Sequence, residues 1–263
     1  MTKKLYHLDS YQTEFKAVIL EKKLENNRTY LILDHTYFYP EAGGQLCDKG
    51  FIEGIPVIDV QERNGEILHF LKEEIDSNPG STVKGEIDWE IRFDHMQQHT
   101  GQHLLSAVLL DLWNLDTLSF HMSEDVCTID INDTEIDEAK LKCLEKKVNS
   151  IIYANKPILN YYLEDQKENS GSINIRKIAS LQEKMRIIEI ENVDKNACGG
   201  THCKATGEIG VIKIINWEHR KEKLRLYFLC GKRALLDYQQ KHQITKQLAN
   251  FFTTGIDQLI KKI

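Results

Sequence analysis

Proline is scarce, with four in 263 residues, no apolar run is long enough to span a bilayer, and basic charge is not in excess. The scarcity of proline and the absence of any low-complexity or repeated tract exclude collagen-like, proline-rich and solenoid architectures. Lys3 and Lys4 are not followed by a hydrophobic stretch, so neither a signal peptide nor a membrane span is expected, and a cytoplasmic location is the expectation. A net charge of −6 and a pI near 6.0 argue against a protein that grips long nucleic acid by bulk electrostatics. Local basic surfaces remain at Lys142, Lys146 and Lys147, at Arg220, Lys221 and Lys223, and at Lys232 and Arg233; most such clusters are solvated faces. Six scattered cysteines in a reduced compartment predict burial or metal ligation rather than a disulfide framework.

What is present is an ordinary globular composition, 41% hydrophobic and 28% charged, long enough for two modest domains. The expected class is α+β: a small N-terminal β-barrel followed by an α/β domain with an antiparallel sheet and long helices. Residues 14–20, 28–33, 50–52, 55–60, 66–71 and 82–87 alternate or carry β-formers, and Asn64-Gly65 and Asn78-Pro79-Gly80 between them are turn chemistry. The boundaries expected are 1–90 for the barrel, 91–230 for the second domain and 231–263 for a C-terminal helical extension.

From Arg92 the pattern turns helical, and Leu104, Leu105, Val108, Leu109 and Leu112 predict one buried side, with His99 and His103 near the helix start. Gly101 is a poor helix former, which suggests that it clears space beside a ligand. Strands are expected at 117–121, 126–131, 158–163, 186–191, 210–217 and 224–230, and a helix at 136–153. Residues 164–173 read as a loop, and 217–223 as a heavily charged hairpin turn. A last helix over 232–252 carries Leu235, Tyr238, His242, Thr245 and Ala249 on one face. After it, 256–263 holds a Leu259-Ile260 pair with little to pack on, which suggests a homodimer contact through the C-terminal helix or a further domain downstream.

Chemistry concentrates in two motifs. His99-Thr100-Gly101-Gln102-His103 puts two imidazoles a turn apart on one helix face, close enough to share a metal ion. Cys198-Gly199-Gly200-Thr201-His202 offers a thiolate and an imidazole four apart on a pliable loop, enough to complete a tetrahedral site. Nitrogen and sulfur donors favour zinc over magnesium or calcium. Spacing alone does not choose between His95 with His99 and His99 with His103, and Cys203 beside His202 competes in the same way. Thr100 stands where a metalloprotease helix carries its glutamate, so peptide hydrolysis by that route is disfavoured.

Taken together, Phe38-Tyr39-Pro40-Glu41-Ala42-Gly43-Gly44-Gln45, the stretch 92–106, Ser119-Phe120-His121, the Cys-Gly-Gly-Thr-His motif and Thr206-Gly207-Glu208-Ile209-Gly210 behind it make the chain resemble the alanyl-tRNA editing proteins. These are the free-standing AlaX group, related to the editing domain of alanyl-tRNA synthetase and more distantly to that of threonyl-tRNA synthetase. The resemblance implies that residues 91–230 form an α/β editing domain with one zinc per chain on His99, His103, Cys198 and His202, leaving out His95 and Cys203. It implies hydrolysis of the ester of tRNA(Ala) mischarged with serine or glycine. Gly43 and Gly44, with Gln45, match the glycine motif linked to tRNA handling, and 117–128 matches the segment facing the aminoacyl group. The length suggests a medium-length member, or a long one cut short.

No residue declares itself the general base; His95, His121, Gln102 and Glu41 are candidates only by their place beside motifs. Thr100, Gln102 and Ser119 are candidates to bond a serine hydroxyl, the contact that rejects alanine. Two rivals stand beside the enzyme: a non-catalytic RNA-binding module with a structural zinc, and a metal-dependent hydrolase of small amino-acid esters.

Overall fold

Strands Glu14–Glu25 and Thr82–Ile87 alternate buried and more exposed side chains over much of their length, the pattern of a sheet wrapped around one core. The computed structural model of the chain describes residues 1–133, 135–163 and 185–262; the expected loop at 164–173 lies outside them. In order come β1 (Lys3–Lys4), β2 (Glu14–Glu25), β3 (Arg28–Leu33), β4 (His35–Thr36), β5 (Gly50–Ile52), β6 (Ile55–Arg63), β7 (Glu66–Leu71) and β8 (Thr82–Ile87). Six of them pair in the order β2-β3-β7-β6-β5-β8, each pair antiparallel, and β8 pairs back onto β2 to close the ring. Phe15, Ile19, Leu31, Leu33, Phe38, Ile52, Ile67, Leu71 and Val83 fill it. Phe15 sits opposite Gly85, and its ring occupies the place a Cβ there would need, 2.5 Å away.

One polar group is sealed beside this core. His69 on β7 is fully buried, with Nδ1 3.1 Å from Leu31 O and Nε2 2.8 Å from the Thr36 hydroxyl. Leu31 O can only accept, so Nδ1 carries the proton and Nε2 accepts from Thr36. Burial lowers the ring's pKa from 6.5 to about 4. Below pH 6.5 the unfolded chain therefore takes up a proton that the folded ring refuses, and stability falls as pH drops from 6.5 toward 4. The gap between those values is worth about 3 kcal/mol. His69→Asn, which keeps a donor toward Leu31 O, is expected to flatten the dependence of the urea midpoint on pH across that window; an unchanged slope would show that His69 does not set it.

The rest of the chain runs α1 (Trp89–Trp113), β9 (Thr117–Met122), β10 (Cys127–Ile131), α2 (Glu138–Tyr153), β11 (Ile158–Leu163), β12 (Met185–Ile190), β13 (Asp194–Ala197), β14 (Ile212–Arg220), β15 (Lys223–Cys230), α3 (Gly231–Phe251) and α4 (Leu259–Lys262). Two antiparallel sheets form, β14-β15-β10-β9 and β11-β12-β13, which with the helices makes the fold α+β. Leu104, Leu105, Val108 and Leu109 of α1, and Leu141, Leu144, Val148 and Ile152 of α2, share one core with the larger sheet.

Several expectations change here. The helix α1 starts at Trp89 rather than Arg92, because the Asp88 carboxylate caps it by accepting the Ile91 N–H at 3.2 Å. It is buried on every side from His95 to Leu109, so His99 lies mid-helix, not near an exposed start. Gly101 clears space for the Cys230 sulfur of β15 rather than for a ligand. The strand β13 lies outside the expected set, since Asp-Lys-Asn-Ala has low β-propensity; pairing with β12 makes it. The charged segment 217–223 is mostly strand, with its turn confined to Lys221-Glu222. On α3 most of the expected face is not buried, since Leu235, Tyr238 and His242 are exposed, although Ala249 is buried; beyond it Leu259 packs at 6% exposure. Among the described residues no helix is long and apolar enough to cross a membrane. The basic clusters are partly neutralised locally: Arg233 forks onto Asp94, Lys232 meets Glu90, Arg220 meets Glu218 and Lys142 meets Glu138.

Candidate metal centre

A histidine pair four apart on a helix presents both rings to one neighbour, and that neighbour here is the loop after β13. His99 and His103 from α1 meet Cys198 and His202 with one ligand atom of each within 4.8 Å of the others. The three histidines are nearly sealed from solvent. Cys198 Sγ lies 3.5 Å from His99 Nε2 and 3.3 Å from His202 Nε2. A tetrahedral zinc with ordinary bond lengths separates sulfur and nitrogen ligands by about 3.5 Å, so the donors fit that ion.

The outer nitrogens are held by groups from elsewhere in the chain. Gln45 of the barrel gives its Nε2–H to Thr201 Oγ1 at 2.8 Å, while its Oε1 accepts the Thr201 N–H at 3.1 Å. That fixes the amide, so Oε1, 2.7 Å from His99 Nδ1, accepts its proton and leaves Nε2 as the lone-pair nitrogen. His202 Nδ1 reaches Thr100 Oγ1 at 3.2 Å, and the same hydroxyl accepts the Cys203 N–H at 3.1 Å. His103 Nδ1 faces the Asp194 carboxylate at 3.9 Å. Burial favours the neutral, ligating form of His99 and His202: it lowers the His99 pKa to about 3 and drives His202 well down, with the neighbouring imidazoles adding to the effect. The Gly200 N–H donates to Cys198 Sγ at 3.3 Å, and Gly200 is glycine because a Cβ would strike the His99 ring.

Over most of its length the chain is similar to known proteins. The model for the threonyl and alanyl tRNA synthetase second additional domain matches residues 185–227, which carry Cys198 and His202, and the model for class II (A) tRNA synthetases matches residues 4–91. The chain is 40% identical over 244 residues to the alanyl-tRNA editing protein AlaX-L of Pyrococcus horikoshii, covering 89% of this chain and 59% of that one. The chain is similar to alanyl-tRNA editing proteins over most of its length. It is 32% identical to an alanyl-tRNA editing protein of Danio rerio, over 97% of this chain and 65% of the relative. It is likewise 32% identical to the alanine–tRNA ligase of Pyrococcus furiosus, over 98% of this chain and 29% of the ligase. The chain thus spans less than two thirds of each of these relatives.

In this chain the glycine pair lies against β9, beside the His/Cys cluster. Gly43 and Gly44 have φ of +58° and +84° and make a tight turn closed by Ala42 and Gln45. Gly44 O accepts the Met122 N–H at 3.0 Å, and a Cβ on Gly44 would lie 2.6 Å from Phe120 O. Phe120 in turn stacks on His99, centroids 5.5 Å apart.

The other expected site residues are placed unequally. Thr100 and Gln45 contact ligand rings directly. Gln102, buried, donates to Ser106 Oγ at 2.8 Å, which is 2.6 Å from Thr117 Oγ1. Ser119 and His121 are exposed on the face of β9 opposite Phe120, and Ser119 bonds the Asp130 carboxylate. His95 lines a separate cleft of about 710 Å³, and Cys203, whose thiol pKa burial pushes up to about 12, packs in the core.

Sequence reasoning missed Asp194 and Arg186, and read Gln45 only as part of the glycine motif. For Gln45 and Asp194 no spacing signal exists, because each meets its histidine across the tertiary structure. Gln45→Leu is expected to weaken zinc affinity roughly 10- to 100-fold, read by competition with a calibrated chelator, with Gln45→Glu losing less. Equal affinity in both variants and the parent would remove Gln45 from the metal's support.

Proposed function

We propose that the chain is a trans-editing deacylase that hydrolyses the ester of tRNA(Ala) mischarged with serine, chiefly, and also glycine. One zinc ion would be held by His99, His103, Cys198 and His202, with residues 1–90 handling tRNA, 91–230 carrying the chemistry and 231–263 extending it. The observation that carries this reading is the convergence of three imidazoles and one sulfur from two distant motifs, in a chain similar to alanyl-tRNA editing proteins. Bound there, and with its coordination expanded or one ligand released, zinc would supply polarisation of an ester carbonyl and a water of lowered pKa.

The chain's own residues do the rest. Gln45 and Thr100 hold His99 and His202 in their ligating orientation. The Phe120 ring over His99 keeps solvent from that imidazole. We assign to Gln102 the contact with the serine hydroxyl. It lies a turn beyond His99 and is braced by Ser106 and Thr117, and a polar contact of this kind discriminates against alanine far better than an apolar pocket.

The test mixes purified protein with seryl-, glycyl- and alanyl-tRNA(Ala), with and without chelator, and follows the ester. Chelator-sensitive loss from the seryl form, slower loss from the glycyl form and none from the alanyl form is the expected result. Four protein ligands fill a tetrahedral ion, which favours a structural zinc as the second reading. Retained tRNA with no hydrolysis would establish that RNA-binding module, and hydrolysis of free serine esters at the same rate as seryl-tRNA would establish a small-ester hydrolase.

The homodimer belongs to the same proposal. Leu235, Leu236, Tyr238, Ile244, Leu248 and Phe251 stand exposed on α3. Sedimentation equilibrium should find a dimer that Leu236→Glu dissociates; a monomer at all concentrations would dismiss it.

A further inference from the structure

A second recess adjoins the metal centre and shares His202 with it. It is a cleft of about 190 Å³ lined by Ser10, Tyr11, Asn160, Arg186, His202 and Lys204, among others. That is below the roughly 300 Å³ at which small-molecule sites begin, and suits one small polar group with its water.

Its floor is Arg186, 7% exposed. Nη1 donates to Cys198 O at 2.8 Å and to Gly200 O at 2.7 Å, which spends both its hydrogens. Nε has no hydrogen-bond partner, and Nη2 bonds no described residue. No described carboxylate forms an ion pair with it; the groups that bear on it most are Cys198, Tyr162, Tyr39 and Tyr6. A buried guanidinium that, among the described residues, has no acid partner and keeps three N–H groups to give is expensive to keep, and it presents the fork that binds phosphate bidentately. Lys204, at the exposed rim, has its ammonium held 4.0 Å over the Tyr11 ring. Among the lining residues the one acid is Asp9, half-buried, whose carboxylate accepts the Tyr11 N–H at 2.9 Å.

We propose that this cleft is a phosphate subsite, and that on the editing reading above it takes the phosphate of the terminal nucleotide whose ribose carries the ester. His202 lines both the cleft and the metal cluster, so a phosphate on Arg186 and an ester at the metal are neighbours, as they are within one aminoacylated nucleotide. Arg186 would then serve twice, tying the Cys198–Gly200 loop and anchoring the RNA end.

Calorimetric titration of the metal-loaded protein with 5′-AMP, adenosine and inorganic phosphate tests this. AMP is expected to bind with salt-sensitive affinity and adenosine to bind far more weakly. Lys204→Glu and Arg186→Met should each weaken AMP by roughly tenfold or more, and Arg186→Lys by less. AMP binding better than inorganic phosphate assigns the subsite to a nucleotide; equal binding assigns it to free phosphate and overturns the terminal-nucleotide half of the proposal. Because Arg186→Met also disturbs the metal loop, Lys204→Glu decides: unchanged AMP affinity there, or adenosine binding as well as AMP, overturns the subsite. AMP binding without deacylation would sink the editing reading and spare the subsite. Deacylation whose KM is unmoved by Lys204→Glu would sink the subsite and spare the editing reading.

Discussion

Replacing Cys198 with alanine is expected to weaken zinc binding roughly 100- to 1000-fold, since a four-ligand zinc site holds its ion with about 10 to 16 kcal/mol shared among the donors. The proposed deacylation of seryl-tRNA(Ala) should fall with it. The substitution removes the anionic donor of the set and leaves the Gly200 N–H, now bonded to that sulfur, without its acceptor. The control is Cys203→Ala, five positions on, whose thiol is buried and held protonated by that burial. That variant should keep its zinc. Metal content after dialysis against a calibrated chelator, beside circular dichroism to establish folding, reads both. Zinc retained by Cys198→Ala and lost by Cys203→Ala would reverse the ligand assignment.

The largest loss of stability is expected at Arg92→Met. Arg92 is 1% exposed and Asp48 fully buried. The guanidinium Nε donates to Asp48 Oδ1 at 2.8 Å, Nη1 to Ser10 O at 2.7 Å and Nη2 to Tyr37 O at 2.6 Å, with a further contact from Nη2 to Asp48 Oδ2. One side chain of α1 thus ties together three segments of the first half of the chain. Breaking a buried pair from one side leaves the other charge unpaired, at a cost of about 3 to 5 kcal/mol, against a total near 5 to 15 kcal/mol for a typical domain. Arg92→Met should therefore lower the urea midpoint steeply. Lys142→Ala, which breaks only the exposed pair with Glu138, should leave it where it was. Equal shifts in the two variants would show that the buried clamp does not hold the helix to the barrel.

Much of the fold is legible in the order of residues alone, and the exceptions have a common cause. Strands such as Glu14–Glu25 and Thr82–Ile87 can be read because alternation is a property of consecutive residues. The helix bearing His99 and His103 is legible for the same reason, but its burial on all sides is not, because one stripe of leucines cannot say what covers the rest. β13 is invisible in the sequence because its polar residues are strand only through β12.

At the site, the sequence by itself determined the donors and their spacing: two imidazoles four apart on a helix, and a cysteine and an imidazole four apart on a glycine loop. Only the tertiary structure decided that residues 99 positions apart converge, with Cys198 Sγ 3.5 Å from His99 Nε2. It turned His95 toward a different cleft, and it made the barrel's Gln45 the partner that orients His99. Spacing along a chain fixes geometry over a few residues, through backbone dihedrals. Distances across the molecule are fixed by how helix, sheet and barrel pack, and that depends on all of their side chains at once.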